Sequence, residues 1–410
     1  MNKIELLAPA GDLEKLKTAI DYGADAVYLG GENFGLRTAS KNFSIEKIEE
    51  GVNYAHERAR KVHVTMNIVP HNEDFEGLED YLRDLSRIGV DALIVSDPGI
   101  FSVIRRVTPD MEVHLSTQAS ATNYETIMFW YNLGVKRVVL ARELSLKEIK
   151  DITSRVPDDL EIEAFVHGAM CIAYSGRCLL SNYMTSRDAN RGDCSHTCRF
   201  KYNLVEEKRP GEFYPVFEDE KGTYIMNSKD LCMLPYIKEL VEAGIKSFKI
   251  EGRVKSAYYV ATVIRSYRMA IDEYYRDPEN YKYDESWLNE IKKASYRDFT
   301  TGFYFGKPNE TGQLYESTSY IRDYDFVGLV LDYDEESKMA TIEQRNRIFV
   351  GDEIEVFGPS REFFTQKIEK MWNDKGEEID VAPHAQQLIR IEMKEAVLPR
   401  SMMRKVREDD

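Results

Sequence analysis

A chain of 410 residues with 43% hydrophobic content can bury a sizeable core, either as two domains or as one barrel of about 250 residues with a smaller unit attached. That composition excludes a disordered, collagen-like or coiled-coil protein. Lys and Arg number 55 against 71 Asp and Glu, a net charge of −16, which excludes a uniformly basic nucleic-acid binder but not a local basic patch.

The N-terminus, MNKIELLAPAG, lacks the long apolar run of a secretory signal, and no stretch approaches the ~20 apolar residues of a membrane span. A cytoplasmic protein with reduced thiols and no membrane association is expected. Along the first 275 residues, short β-rich runs alternate with amphipathic helical runs. Strands are predicted at 4–8, 26–30, 61–68, 91–96, 112–118, 136–141, 161–167 and 247–251. Helices follow at 12–22, 44–59, 75–88, 98–106, 123–133, 145–155, 229–243 and 255–276. Glycines such as Gly23, Gly89 and Gly134 end helices, where a C′ residue with φ > 0 is favoured.

Eight strand–helix units predict an α/β chain folded as a (β/α)8 TIM-like barrel over about 1–280, with an open doubly wound sheet as the rival. The seventh unit is interrupted by a Cys-rich insertion at about 168–226, placed after strand seven on the face where barrels carry their chemistry. Residues 281–323 read as a Tyr-rich connector. Short alternating runs over 324–410 predict a small C-terminal all-β, barrel-like domain.

The insertion holds Cys171, Cys178, Cys194 and Cys198 in the spacing C-x6-C-x15-C-x3-C. Four thiols in one polar segment suit zinc or an iron–sulfur cluster, although the spacing matches no common signature. Packing as small buried hydrophobes is the alternative. Cys232 lies in the helical pattern DLCMLPYIKELV and reads as a core residue.

Period-2 alternation aligns His63, Thr65 and Asn67 on strand three, His114, Ser116 and Gln118 on strand five, and Lys249 and Glu251 on strand eight. His63 and His114 sit deep and read as core histidines. Asn67, Gln118, Arg142, His167 and Arg253 fall near strand ends and are the candidate substrate-binding residues. No catalytic residue is assigned. His167 and Cys171 are four apart, so a Cys–His nucleophile pair is conceivable. Residues 171–210 carry seven Lys/Arg against four Asp/Glu, and residues 249–268 carry five against one. With the tail KEAVLPRSMMRKVR these stretches could form an RNA or anion footprint, or a solvated face.

The segments ELLAPAGDLEKLKTAIDYGADAVYLGG, HLSTQASATN, RVVLARELS, FVHGAMCIAYSGRCLLSNY and KIEGRVKSAYYVATVIRSYR resemble the collagenase-like peptidase family U32, across essentially the whole chain. Within it, the resemblance is greatest to proteins that install 5-hydroxyuridine at the wobble position of tRNA in a prephenate-dependent reaction. It implies a 4Fe–4S cluster on Cys171, Cys178, Cys194 and Cys198, with zinc as the fallback. It further implies a tRNA anticodon loop and the small dicarboxylate prephenate as partners. The insertion, the strand-eight segment and the β domain are expected to hold the tRNA backbone, and Arg142 and Arg253 to meet the carboxylates. A homo-oligomer, or a hetero-oligomer with a related family member, is compatible with it. A collagenase-like protease and an RNA-binding scaffold are the competing functions.

Overall fold

The computed structural model describes residues 3–32, 42–170, 178–191, 193–199, 203–204, 214–215, 227–294, 296–307, 313–314, 321–359 and 363–407. Eight parallel strands close into a barrel: Glu5–Pro9, Ala26–Gly30, Lys61–Met66, Ala92–Val95, Val113–Leu115, Arg137–Val139, Glu161–Ala169 and Ser247–Ile250. Closure is made by the eighth strand, which pairs with the first (Glu5↔Ser247) and with the seventh (Ser247↔Glu163). The open-sheet alternative is thereby removed.

The helices pack outside. Several begin where a side chain can satisfy an otherwise orphaned N–H. Asp12, Asp97 and Asn123 accept from backbone amides at three such starts, and Ser145 forms a reciprocal capping box with Glu148. The predicted helix at 75–88 starts later, at Leu78, because Gly77 takes φ +75 and separates it from a 3-10 turn at Asn72–Phe75.

Two segments depart from the expected elements. The fifth strand stops at Leu115, and Ser116 then caps a 3-10 turn at Thr117–Ala119, so Gln118 lies in a turn and not on a strand. The predicted helix at 229–243 shrinks to Ile237–Glu242. Asp230–Cys232 instead forms a strand antiparallel to the seventh, with Cys232 opposite His167. Pro235, in a 3-10 turn at Leu234–Tyr236, supplies no amide for a longer helix, and the strand edge offers residues 230–232 a backbone ladder. Cys232 is nonetheless buried, and burial pushes its thiol up to about 12.

The C-terminal unit is an antiparallel seven-stranded sheet, including Tyr324–Asp334, Met339–Gln344 and Met402–Val406, with its own core around Val327, Ile342, Ile354, Ile389 and Met403. It is riveted to the barrel by Arg404, which is wholly buried. Its Nη2 donates to both carboxylate oxygens of Glu290 (2.9 and 2.8 Å) and its Nε to Glu355 (2.7 Å). Burial alone would raise the Glu290 carboxyl, but the charges and hydrogen bonds of Arg404 and Lys293 together hold the group below its ordinary value. No helix among the described residues is long and apolar enough to cross a membrane.

Candidate functional site at the barrel mouth

Polar residues fill the barrel interior in layers. At the N-terminal end, Arg137 is an ionic plug: its guanidinium bonds Glu5, Glu161 (2.8 Å) and Glu163 (3.0 Å), and Lys249 donates to Glu163 at 2.8 Å. Burial would raise the Glu5 carboxyl, yet Arg137 holds it well below the carboxylate range. Above lie His63 and His114, edge to face with ring centroids 4.8 Å apart. Burial lowers the pKa of both, so they are neutral core groups as expected. The plug closes this end, so a ligand enters from the C-terminal mouth.

Four of the five candidate binding residues converge there. Arg142 donates from Nη2 to Glu251 (3.0 Å) and from Nη1 to the Ala169 carbonyl (2.6 Å), with its guanidinium 3.8 Å from the Phe165 ring centroid. Arg253 is buried and donates to Thr65 Oγ1 at 3.1 Å. A Cβ on Gly30 would sit 2.5 Å from its Nη1, so the end of the second strand has to be glycine for this guanidinium to lie across it. Asn67 donates to Ser116 Oγ (3.4 Å), which donates to Gln118 Oε1 (3.3 Å). Asn67 Oδ1 is buried without a hydrogen-bond partner.

The fifth residue, His167, joins a different neighbourhood. Register slips between Lys249 and Ile250 opposite it, and Gly168 follows with φ +105. The imidazole packs against Tyr267, Phe299 and Tyr259, at centroid distances of 5.5, 5.8 and 6.1 Å. Burial drives its pKa down to about 3. It is a neutral imidazole in an aromatic shell.

Above the mouth stands the cysteine segment. Cys171 lies outside the described residues. Cys178, Cys194 and Cys198 are half-buried, and none is in a disulfide. Asn190 clasps the backbone of Cys178 in both directions: Cys178 N donates to Oδ1 (3.2 Å), and Nδ2 donates to the Cys178 carbonyl (3.0 Å). The Asn190 carbonyl accepts from Val69 N (3.1 Å), which moors the clasp two residues beyond Asn67. A second brace runs from Ser195, beside Cys194, to Ser181 Oγ (N···O 2.9 Å). The donor chemistry, thiols gathered in one braced segment, fits a soft metal centre or an iron–sulfur cluster. Among the described residues alone, no three His, Cys, Asp or Glu side chains converge into a metal-holding group.

In the strand-eight stretch and the tail, much of the expected basic footprint is taken up by internal pairing. Lys249 meets Glu163, Arg265 meets Glu290, and Arg268 meets Asp25 and Asp272. In the tail, Arg400 pairs with Asp21, Arg404 with Glu290 and Glu355, and Lys405 with Asp352. These cations hold the fold together. Sequence reading also passed over Gly30, Asn190 and the pairing role of Glu251. Only the Gly30-Gly31 doublet directly after a strand carried a local signal, of close backbone approach.

The family model described as "Peptidase family U32" matches residues 11–314, and that of the "Peptidase family U32 C-terminal domain" matches residues 322–404. The chain is 49% identical to "tRNA hydroxylation protein P1" of Bacillus subtilis, over 98% of this chain and 95% of that one. It is 40% identical to "tRNA hydroxylation protein P" of Escherichia coli, over 93% and 92% of the two chains. A third relative, the Escherichia coli "23S rRNA 5-hydroxycytidine C2501 synthase", is 41% identical over 66% of this chain and 40% of its own length.

Proposed function

Because the chain belongs to peptidase family U32, we propose that it is an RNA-modifying hydroxylase that converts the wobble uridine of tRNA to 5-hydroxyuridine. The observation that carries this reading is identity of 49% and 40%, over nearly the full length of both chains, to two proteins named for tRNA hydroxylation. The named rRNA hydroxycytidine synthase extends the same chemistry, oxygen at a pyrimidine, to a third relative.

Oxygen insertion at a pyrimidine carbon needs an oxidant, which side chains do not supply. Following the family resemblance, the proposal includes a 4Fe–4S cluster on Cys171, Cys178, Cys194 and Cys198, with redox-inert zinc as a structural fallback, and prephenate as co-substrate, while an oxygen donor and two-electron acceptor from outside the chain balance the oxidation. When bound, such a cluster supplies one-electron chemistry. The chain's own residues do the rest. Arg253, laid across Gly30 and fixed by Thr65, presents a cation to a carboxylate at the mouth. Arg142 is already charge-paired with Glu251, so its role is to hold the mouth in shape through Phe165 and Ala169. Asn67, Ser116 and Gln118 offer neutral hydrogen bonds to a planar base presented unstacked by an anticodon loop. The Arg137 plug keeps water from entering behind it.

The protease alternative finds no base in His167, which is enclosed by three rings. The deciding experiment is nucleoside mass spectrometry of tRNA from a deletion strain, with and without the complementing gene. Loss of 5-hydroxyuridine on deletion and its return on complementation are expected. An unchanged level in a strain lacking every relative would overturn the proposal.

A further inference from the structure

The short helix Leu180–Thr185, two residues after Cys178, has its amphipathicity inverted. Its buried residue is a serine: Ser181 accepts from Ser195 N, and its Oγ lies 2.8 Å from Ser195 Oγ. Its apolar side faces outward. Tyr183 is 90% exposed and Leu179 is 72% exposed, four residues apart and so on one face of the turn. Met184 beside them is also exposed. An ordinary surface helix turns its apolar stripe to the core. Three large apolar side chains exposed within six residues, beside a half-buried thiol, mark a surface held open for a partner.

We propose that Leu179 and Tyr183 form a stacking platform for an unpaired base of a single-stranded RNA loop, next to the base being modified. This rests on the hydroxylase reading and adds to it the residue that grips the RNA. Charge favours RNA as the occupant. The segment 171–210 carries seven Lys/Arg against four Asp/Glu in a chain of net charge −16. Several cations elsewhere are taken up in ion pairs at Glu163, Glu290, Asp25 and Asp352; within this segment Arg187 meets Asp193, and the sequence still counts three more cations than carboxylates there, 7 − 4 = 3. A phenol ring in the open, on a helix pinned from beneath by the Ser181–Ser195 brace, is a rigid π-face of the kind on which bases stack irrespective of sequence.

The test is fluorescence anisotropy with the full-length protein and an anticodon stem-loop RNA, set beside a blunt duplex of matched length. Tyr183→Ala should weaken stem-loop binding about tenfold while leaving duplex binding within about twofold, because only the loop has a base to stack. Tyr183→Phe and Tyr183→Trp should restore wild-type affinity, since the ring and not the hydroxyl makes the contact. Tyr183 is open to solvent, so its removal leaves the fold intact, which circular dichroism checks. Equal stem-loop affinity for wild type and Tyr183→Ala overturns the proposal, as does a wild type that binds no stem-loop. If Tyr183→Ala instead halves the particle mass in light scattering without changing RNA affinity, the patch seats a second copy and the proposal fails. Wild-type restoration of 5-hydroxyuridine in the deletion strain separates these outcomes from failure of the hydroxylase reading itself.

Discussion

Arg142 and Glu251, 109 residues apart in sequence, meet at 3.0 Å across the ends of the sixth and eighth barrel strands. Both side chains are about nine-tenths buried, so the ion pair lies largely out of water. Arg142 also holds the carbonyl of Ala169, two residues before Cys171. Breaking this buried ion pair should cost about 3 kcal/mol. Arg142→Ala should lower the urea midpoint, abolish 5-hydroxyuridine in complemented cells and reduce bound iron. Glu251→Gln, which keeps a hydrogen-bond acceptor, should cost less stability. If Arg142→Ala kept both its iron and wild-type stability, the anchoring role would be wrong.

The mouth geometry depends on the absence of a single methyl group. Gly30→Ala would place its Cβ 2.5 Å from Arg253 Nη1 and push the guanidinium off Thr65. We expect a stability loss of about 1–3 kcal/mol, as for other overpacked sites, with a larger loss of hydroxylation than stability explains. A rise in the apparent KM for prephenate would be its kinetic signature. Full activity in Gly30→Ala would remove Arg253 from the binding site.

Asn190 carries no chemistry yet fixes a cysteine. Its two side-chain bonds to Cys178 and its backbone bond to Val69 set where that thiol sits over the mouth. Asn190→Ala should raise the alkylation rate of Cys178 in metal-free protein, read by peptide mass spectrometry, while the buried Cys232 stays unreactive. The same variant should retain less iron after reconstitution. An unaltered alkylation rate would show that the clasp is dispensable.

Anaerobically purified protein should be brown and carry about four irons per chain, as a cubane cluster requires. Cys178→Ala, Cys194→Ala and Cys198→Ala should each lose that iron. Cys232→Ala should retain it, because that thiol is protonated, buried and opposite His167 in a strand. Colourless protein with one equivalent of zinc would replace the cluster with the fallback metal.

Stability should fall with acid in a window opened by the three buried histidines, His63, His114 and His167, whose pKa values burial lowers. The folded pKa of His167 is about 3 against an ordinary 6.5. Below pH 6.5 the unfolded chain takes up a proton that the folded imidazole refuses, so stability is full above that pH and declines as pH falls toward 3. Glu5, held below its ordinary value by Arg137, adds to the loss once pH drops below about 4.5. Urea midpoints at pH 7.5 and pH 5 should differ more for wild type than for His167→Gln. Equal slopes would show that His167 contributes nothing to the acid loss beyond His63 and His114.

The barrel strands were legible because their signal is local: apolar runs of four to six residues, glycine-ended helices and capping side chains are all written within one element. The cysteine cluster was legible for the same reason, being a matter of composition over 28 residues. Cys232 shows the limit: its burial could be read, but its strand could not, because the edge that recruited it is His167–Ala169, more than sixty residues upstream.

What the sequence determined by itself was the βα alternation, the position of the insertion after the seventh strand, and the residues that crowd the mouth. The tertiary structure decided which charges remain available to a ligand. Lys249, Arg265, Arg268 and Arg404 look alike in sequence to cations that bind RNA, but each is matched by a carboxylate brought in from another element. It also turned His167 into an aromatic shell through a register slip and a left-handed glycine, where strict alternation had aimed it at the mouth. Periodicity reports how a residue faces within its own strand or helix. Charge compensation is a through-space property of buried groups, and it is fixed only when the chain closes on itself and brings the counter-charge within about 3 Å.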